Sequence, residues 1–317
     1  MCRAAIPRAR GVTRTFEGLL ATAEGLHRIH DNADKIGRHR GVCAGPPDRL
    51  GAGLMSDACD GHDHHHDDGE MDGPDSPLVR SLAPSPNHDA RKEPVSLLIM
   101  HYTGMKDGMA ALKRLCDPNP PRVSCHYVVF EDGEIVQSVA ERRRAWHAGI
   151  GSWHGRDDVN ARSIGIEIVN PGHEFGYRPF PEAQIEAVIA LAQDIVGRNA
   201  IPSAGVIGHS DTAPTRKQDP GELFPWKRLA EAGLGLWVAP VPLMDGPSYR
   251  QGEEGPPIQA LQALLGMAGY GIQVTGVYDA LTAAVVTAFQ RHWRPERVDG
   301  VADASTLRTL RDLLAAR

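Results

Sequence analysis

The sequence predicts an α/β fold: a central mixed β-sheet flanked by helices, followed by a small C-terminal three-helix bundle. Three observations carry this reading. Short apolar runs of strand length recur between residues 94 and 208, with one long amphipathic helical pattern among them. An Asp132-Gly133 turn between two apolar runs marks a β-hairpin. Residues 257–315 hold three helical patterns separated by glycine turns, the size of a small bundle.

Taken in order, residues 1–75 are rich in Arg, Gly, Asp and His with little hydrophobic periodicity, and read as a disordered leader. Their tract Gly61-His62-Asp63-His64-His65-His66-Asp67-Asp68 reads as solvated, with metal binding the alternative. A globular domain is expected over 76–237. Pro94–Met100 reads as a buried strand ending at His101, and Met109–Leu115 as a short helix stopped by Asp117-Pro118-Asn119-Pro120-Pro121. His126–Phe130 and Ile135–Val139 are the arms of the hairpin. In the strand Ser163–Val169, alternation puts Ile164, Ile166 and Ile168 on one face, and Ser163, Gly165, Glu167 and Val169 on the other. Pro181 opens a helix to about Arg198, with Ile185, Val188, Ile189, Ala192 and Ile195 at helical spacing. Gly205–Gly208 leads into His209. Residues 238–254 read as a linker, and 255–317 as the bundle, with helices over Pro257–Leu265, Leu281–Trp293 and Ala304–Ala315.

Composition narrows the function classes. The chain of 317 residues carries a formal charge of -6, with no basic face of the kind nucleic acid requires. No run of eighteen apolar residues exists to span a membrane. The Arg-rich start (Arg3, Arg8, Arg10, Arg14) lacks an apolar core of signal-peptide length, so a cytoplasmic location is expected. Of the five cysteines, Cys2, Cys43 and Cys59 lie in the leader, and Cys116 and Cys125 are expected to stay unlinked.

The candidate chemistry centres on His101, His209 and Asp219. Two imidazoles and one carboxylate are a zinc ligand set that leaves a fourth position for water. They are far apart in sequence, so spacing alone proves no site, and each has the bland reading of an ordinary strand-end or surface residue. If Lys217–Asp219 is extended, both side chains face one side. No G-x-S-x-G elbow points to a serine hydrolase.

The segments His101-Tyr102-Thr103, Glu131-Asp132-Gly133, Ala145-Trp146-His147-Ala148-Gly149, Ser163–Glu167, Gly208-His209-Ser210-Asp211 and Arg216–Gly221 come in one order over about Ser96–Trp237. Together they resemble the zinc amidases of peptidoglycan, the family of the bacterial amidase-2 enzymes and the peptidoglycan-recognition proteins. The resemblance points to the branch that recycles cell-wall fragments in Gram-negative bacteria. It implies hydrolysis of the amide between N-acetylmuramic acid, including its 1,6-anhydro form, and the L-alanine of the stem peptide. It implies one zinc ion on His101, His209 and Asp219, with Glu167 and Lys217 as the catalytic glutamate and lysine. Chemistry then assigns Glu167 the proton shuttle and Lys217 the developing oxyanion.

Other residues keep two readings. His147, after Trp146, either lines the groove against sugar or peptide or is structural. His126 reads as a core histidine, and His154 and His173 as surface residues. Asp211 either orients His209 or caps a turn. Residues 257–314 resemble the three-helix peptidoglycan-binding module of wall hydrolases, through Gly276–Asp279, Phe289-Gln290 and Asp299-Gly300. Such a module suggests access to the sacculus, which makes the periplasm the alternative location. The expected partners are peptidoglycan or muropeptide fragments. The alternative function is a non-catalytic recognition protein of the same fold, which would have lost a zinc ligand.

Overall fold

Eight strands lie among residues 71–317, which are the ones the computed structural model describes. They are β1 (Ser81–Leu82), β2 (His88–Ala90), β3 (Leu97–Tyr102), β4 (Tyr127–Val129), β5 (Ile135–Gln137), β6 (Arg143–Ala145), β7 (Ser163–Ile168) and β8 (Val206–Gly208). The helices are α1 (Gly108–Leu115), α2 (Gly172–Phe175), α3 (Glu182–Asn199), α4 (His209–Thr212), α5 (Trp226–Glu231), α6 (Pro256–Ala268), α7 (Ala280–Trp293) and α8 (Ala304–Ala315). The His/Asp tract and Cys2, Cys43 and Cys59 lie outside the described residues.

The main sheet has the order β1-β5-β4-β7-β3-β8. The hairpin pair β4–β5 is antiparallel, while β4–β7, β7–β3 and β3–β8 are parallel. The expected mixed sheet is therefore present, and its parallel half carries the chemistry-bearing strand ends. A separate two-stranded ribbon joins β2 to β6.

Each face of the sheet has its own cover. Leu98, Met100, Ile164, Ile166 and Ile168 share a core with Ile185, Val188, Leu191, Ala192 and Ile195 of α3. Each such fully buried aliphatic side chain contributes about 1.5–3 kcal/mol. On the opposite face Val128 and Val136 pack with Leu115 of α1. Further along that face, Leu97, Ile99 and Ile207 form one cluster with Ile258, Leu261 and Phe289 of the C-terminal helices. Between these two covers the face is left to His101 and Glu167, which are cross-strand neighbours in the β3–β7 register.

Helix boundaries follow local chemistry. The Asp107 side chain caps α1 by accepting from the Met109 and Ala110 amides. Asp279 and Asp303 cap α7 and α8 by the same device, accepting from the Thr282 and Thr306 amides. The segment 238–254 is not a free spacer: the Val241 amide donates to Thr309 Oγ1 at 3.0 Å, and Tyr249 bridges to Ala302. Its Pro and Gly content suppresses regular structure without preventing docking on α8. Cys116 and Cys125 are unlinked. No helix among the described residues is long and apolar enough to cross a membrane.

Candidate metal centre

His101 sits near the end of β3, and His209 begins α4 directly after β8. Asp219 follows on a turn whose carbonyl accepts the Ser210 amide at 2.9 Å. All three side chains are buried. His101 Nδ1, His209 Nδ1 and Asp219 Oδ2 form a triangle with every side 2.9 Å.

The hydrogen-bond network assigns both tautomers. Ser163 Oγ donates to the Val159 carbonyl at 2.7 Å, so its oxygen accepts from His147 Nε2–H at 3.1 Å. Burial, reinforced by the nearby His101, holds His147 neutral, well below the usual imidazole range. Its Nδ1 is therefore bare and accepts from His101 Nε2–H at 3.0 Å. That leaves His101 Nδ1 with a lone pair. His209 Nε2–H donates to the Ala148 carbonyl at 2.9 Å, which leaves its Nδ1 bare in the same way. Burial first, and then the neighbouring His209, push the His101 imidazole down to about 4, so it is neutral at physiological pH.

Asp219 completes the set as an anion. Its Oδ2 lies 2.9 Å from both imidazole nitrogens. Three lone pairs thus converge at 2.9 Å, an arrangement that repels itself unless a cation joins it. The triangle is small enough for one ion to bond all three atoms at about 2.0–2.2 Å. Among the described residues these three are the group able to hold a metal ion.

A cleft of about 380 Å³ opens over the triangle. Tyr102, Trp146, His147, Glu167, Lys217 and Gln218 line it, together with His209 and Asp219. Glu167 Oε2 is shut off from solvent and has no hydrogen-bond partner among the described residues. Burial, then the charge of Asp219, raises its carboxyl well above the ordinary range, partly offset by Lys217. Arg216 fixes one wall by donating to the Ala148 carbonyl at 3.0 Å. His147 lies behind His101 and fits there because β7 carries glycine at 165, where a Cβ would come within 2.6 Å of its ring.

Other histidines fall into place around this centre. His126 is buried, accepting the Gly165 amide at Nδ1 (3.0 Å) and donating from Nε2 to the Arg143 carbonyl (3.2 Å). His173 is not a free surface residue: it meets the Tyr102 hydroxyl at 3.0 Å and Glu222 at 3.1 Å. Asp211 does not touch the His209 ring but accepts the Gly208 amide at 2.8 Å, the turn-capping role. Sequence reasoning missed Ser163 and Asn160, whose Oδ1 accepts the His147 and Ala148 amides. Their signal is a relayed hydrogen bond, which no spacing rule reports.

Comparison with known proteins decides the family. A family model described as N-acetylmuramoyl-L-alanine amidase matches residues 91–222, and one described as a peptidoglycan binding domain matches 254–310. The N-acetylmuramoyl-L-alanine amidase AmiD of Escherichia coli is 38% identical over 227 residues, spanning 67% of this chain and 79% of that protein. The chain belongs to the N-acetylmuramoyl-L-alanine amidase family. The 1,6-anhydro-N-acetylmuramyl-L-alanine amidase AmpD of Enterobacter cloacae is 35% identical over 164 residues, covering 46% of this amidase and 86% of its own length. Among solved structures, E. coli AmiD bound to anhydro-N-acetylmuramic acid-L-Ala-D-gamma-Glu-L-Lys matches with a TM-score of 0.59 at 35% identity, covering 72% of this chain and 92% of that one. AmpDh3 of Pseudomonas aeruginosa with an anhydromuramic pentapeptide matches with a TM-score of 0.56 at 30% identity, covering 78% and 97%.

Proposed function

We propose that this amidase hydrolyses the amide between N-acetylmuramic acid, in its 1,6-anhydro form, and the L-alanine of the stem peptide, with one zinc ion held by His101, His209 and Asp219. The observation that carries this reading is the convergence of three bare donor atoms beside the unpartnered oxygen of Glu167. Bound zinc would supply Lewis acidity and lower the pKa of a water toward neutrality. Glu167 takes a proton from the attacking water and returns it to the alanine nitrogen as the C–N bond breaks. A carboxyl raised by burial is suited to both transfers. Lys217, on the same cleft, places positive charge where the carbonyl oxygen becomes negative. Trp146 and His147 line the cleft and are the proposed contacts to sugar and peptide.

The proposed domain plan is a leader to residue 75, the zinc amidase domain over 76–237, and a peptidoglycan-binding-like module from 255. Binding-only members of such a fold typically lack a metal ligand, and this chain keeps His101, His209 and Asp219 together with Glu167 and Lys217. Soluble fragments in the cytoplasm are the proposed encounter, supported by the unlinked Cys116 and Cys125 and checked by cell fractionation.

The test is a digest of anhydro-muropeptide and of intact sacculi, with and without chelator, read by mass spectrometry. Free stem peptide from the anhydro substrate, abolished by chelator and restored by zinc, is expected. Release that survives complete metal removal would sink the zinc reading. Faster release from sacculi than from the anhydro fragment would overturn the substrate assignment.

A further inference from the structure

The C-terminal helices reach the metal centre through one buried carboxylate. Asp211 is fully buried, and it lies two residues after the ligand His209. Its Oδ2 accepts the Gly208 amide at 2.8 Å and His292 Nδ1 at 2.7 Å, while its Oδ1 accepts the Tyr270 hydroxyl at 2.7 Å. The first donor belongs to the turn that launches His209. The other two come from the helical module: His292 from α7, and Tyr270 from the loop after α6.

Both donors are themselves fixed. The His292 ring is stacked between Trp226 of α5 and Trp293, with each centroid 3.8 Å away. Tyr270 packs edge-on against Trp153 at 5.2 Å, and the adjoining Gly269 carbonyl accepts the His154 amide at 2.8 Å. A carboxylate taken wholly out of water must have its lone pairs filled, because a missing donor leaves an uncompensated charge inside the protein. With His292 or Tyr270 gone, the carboxylate loses one of the two donors that fix its orientation, so its hold on the Gly208 amide, the residue before His209, is loosened.

We propose that the C-terminal module is a positioning element for the metal centre, with His292 and Tyr270 holding Asp211 so that Asp211 holds the backbone of His209. This assigns the module a task inside the catalytic site in addition to any contact with glycan. It rests on the reading of His209 as a metal ligand. A module that served only as a tether would have no need of two buried donors on this carboxylate.

The test uses the full chain and three variants. His292→Phe keeps an aromatic ring between the two tryptophans and removes the donor. Tyr270→Phe removes one hydroxyl. Leu310→Ala damages the buried core of the module without touching Asp211. Two quantities are read below the melting temperature of every variant: Co2+ affinity from its visible absorption bands, and hydrogen exchange of the Gly208 and His209 amides in metal-free protein. His292→Phe and Tyr270→Phe are each expected to weaken Co2+ binding by about tenfold, the lower end for lost support behind a ligand. Both should speed exchange at Gly208. Leu310→Ala should lower the melting temperature yet leave Co2+ affinity within about twofold, since cavity formation acts on stability rather than on the ligand turn. Unchanged Co2+ affinity in both aromatic variants would overturn the proposal, as would an equal loss in Leu310→Ala. If the wild-type chain binds no Co2+, the metal reading fails separately, and exchange at Gly208 alone decides the clamp: unchanged protection in both variants overturns it.

Discussion

Replacing His147 with phenylalanine separates two roles for this residue that share one location. The ring volume against Gly165 is kept, so packing changes little. Ser163 Oγ still donates to the Val159 carbonyl and loses only a contact it accepted. The consequential loss falls on His101, whose Nε2–H no longer finds the acceptor 3.0 Å away. A buried donor left unpaired costs about 1–3 kcal/mol. His101 can avoid that cost by moving its proton to Nδ1, where Asp219 Oδ2 accepts it at 2.9 Å. That tautomer cannot bind metal, so the cost reappears as lost affinity. At about 1.4 kcal/mol per factor of ten, metal binding should weaken on the order of 10–100-fold. A zinc titration against a competing chelator reads this directly. With metal saturating, kcat should return close to the wild-type value, and a rise in KM that persists then reports the lost sugar or peptide contact. Unchanged zinc affinity together with a raised KM would refute the tautomer argument and leave His147 as a substrate contact alone.

Three further outcomes are expected. Glu167→Gln keeps the shape and the metal donors but cannot carry the proton, so kcat should fall about 10²–10⁴-fold with zinc content unchanged, as measured by stopped assays and metal analysis. Lys217→Met should lower kcat by about 10²–10³-fold with little effect on KM, because its charge matters once the oxyanion forms. His126 is held neutral by burial first and by Arg91 beside it, with its pKa lowered to about 3. The unfolded chain then binds the extra proton below about pH 6.5, so this contribution is complete above that pH and is lost as pH falls toward 3, at up to about 1.4 kcal/mol per unit. His126→Asn, which keeps an acceptor for the Gly165 amide, should flatten that acid limb by about one proton in urea melts from pH 7 to 4; an unaltered slope would count against it.

The elements legible in the sequence are those long enough to show a period. β3, β7, the β4–β5 hairpin and α3 announce themselves through apolar runs, a turn dipeptide and helical spacing. The two- and three-residue strands β1, β2 and β6 do not, since they contain less than two full alternations. The donor set was legible because His101, His209 and Asp219 each sit in a recognisable local text. The roles of Ser163 and Asn160 were not, because they act through hydrogen bonds to His147, and a segment such as Ser163–Glu167 is recognisable as a text without showing which ring its serine meets. The docking of the C-terminal helices on the sheet was hidden for a related reason. Ile258, Leu261 and Phe289 satisfy a helical period whether they face their own bundle or also Ile99 and Ile207. Only the fold brings His292 to Asp211 across 81 residues of chain.

The central claim is that three bare donor atoms, two at the ends of parallel strands and one on the turn that follows His209–Thr212, hold one catalytic zinc. Anomalous X-ray scattering from crystals of the purified chain, recorded on both sides of the zinc absorption edge, tests it most directly. The account predicts one peak per chain, within bonding distance of His101 Nδ1, His209 Nδ1 and Asp219 Oδ2, about 2.0–2.2 Å from each. A zinc peak on other residues, or no peak here in crystals of protein that still cleaves the amide, would contradict it.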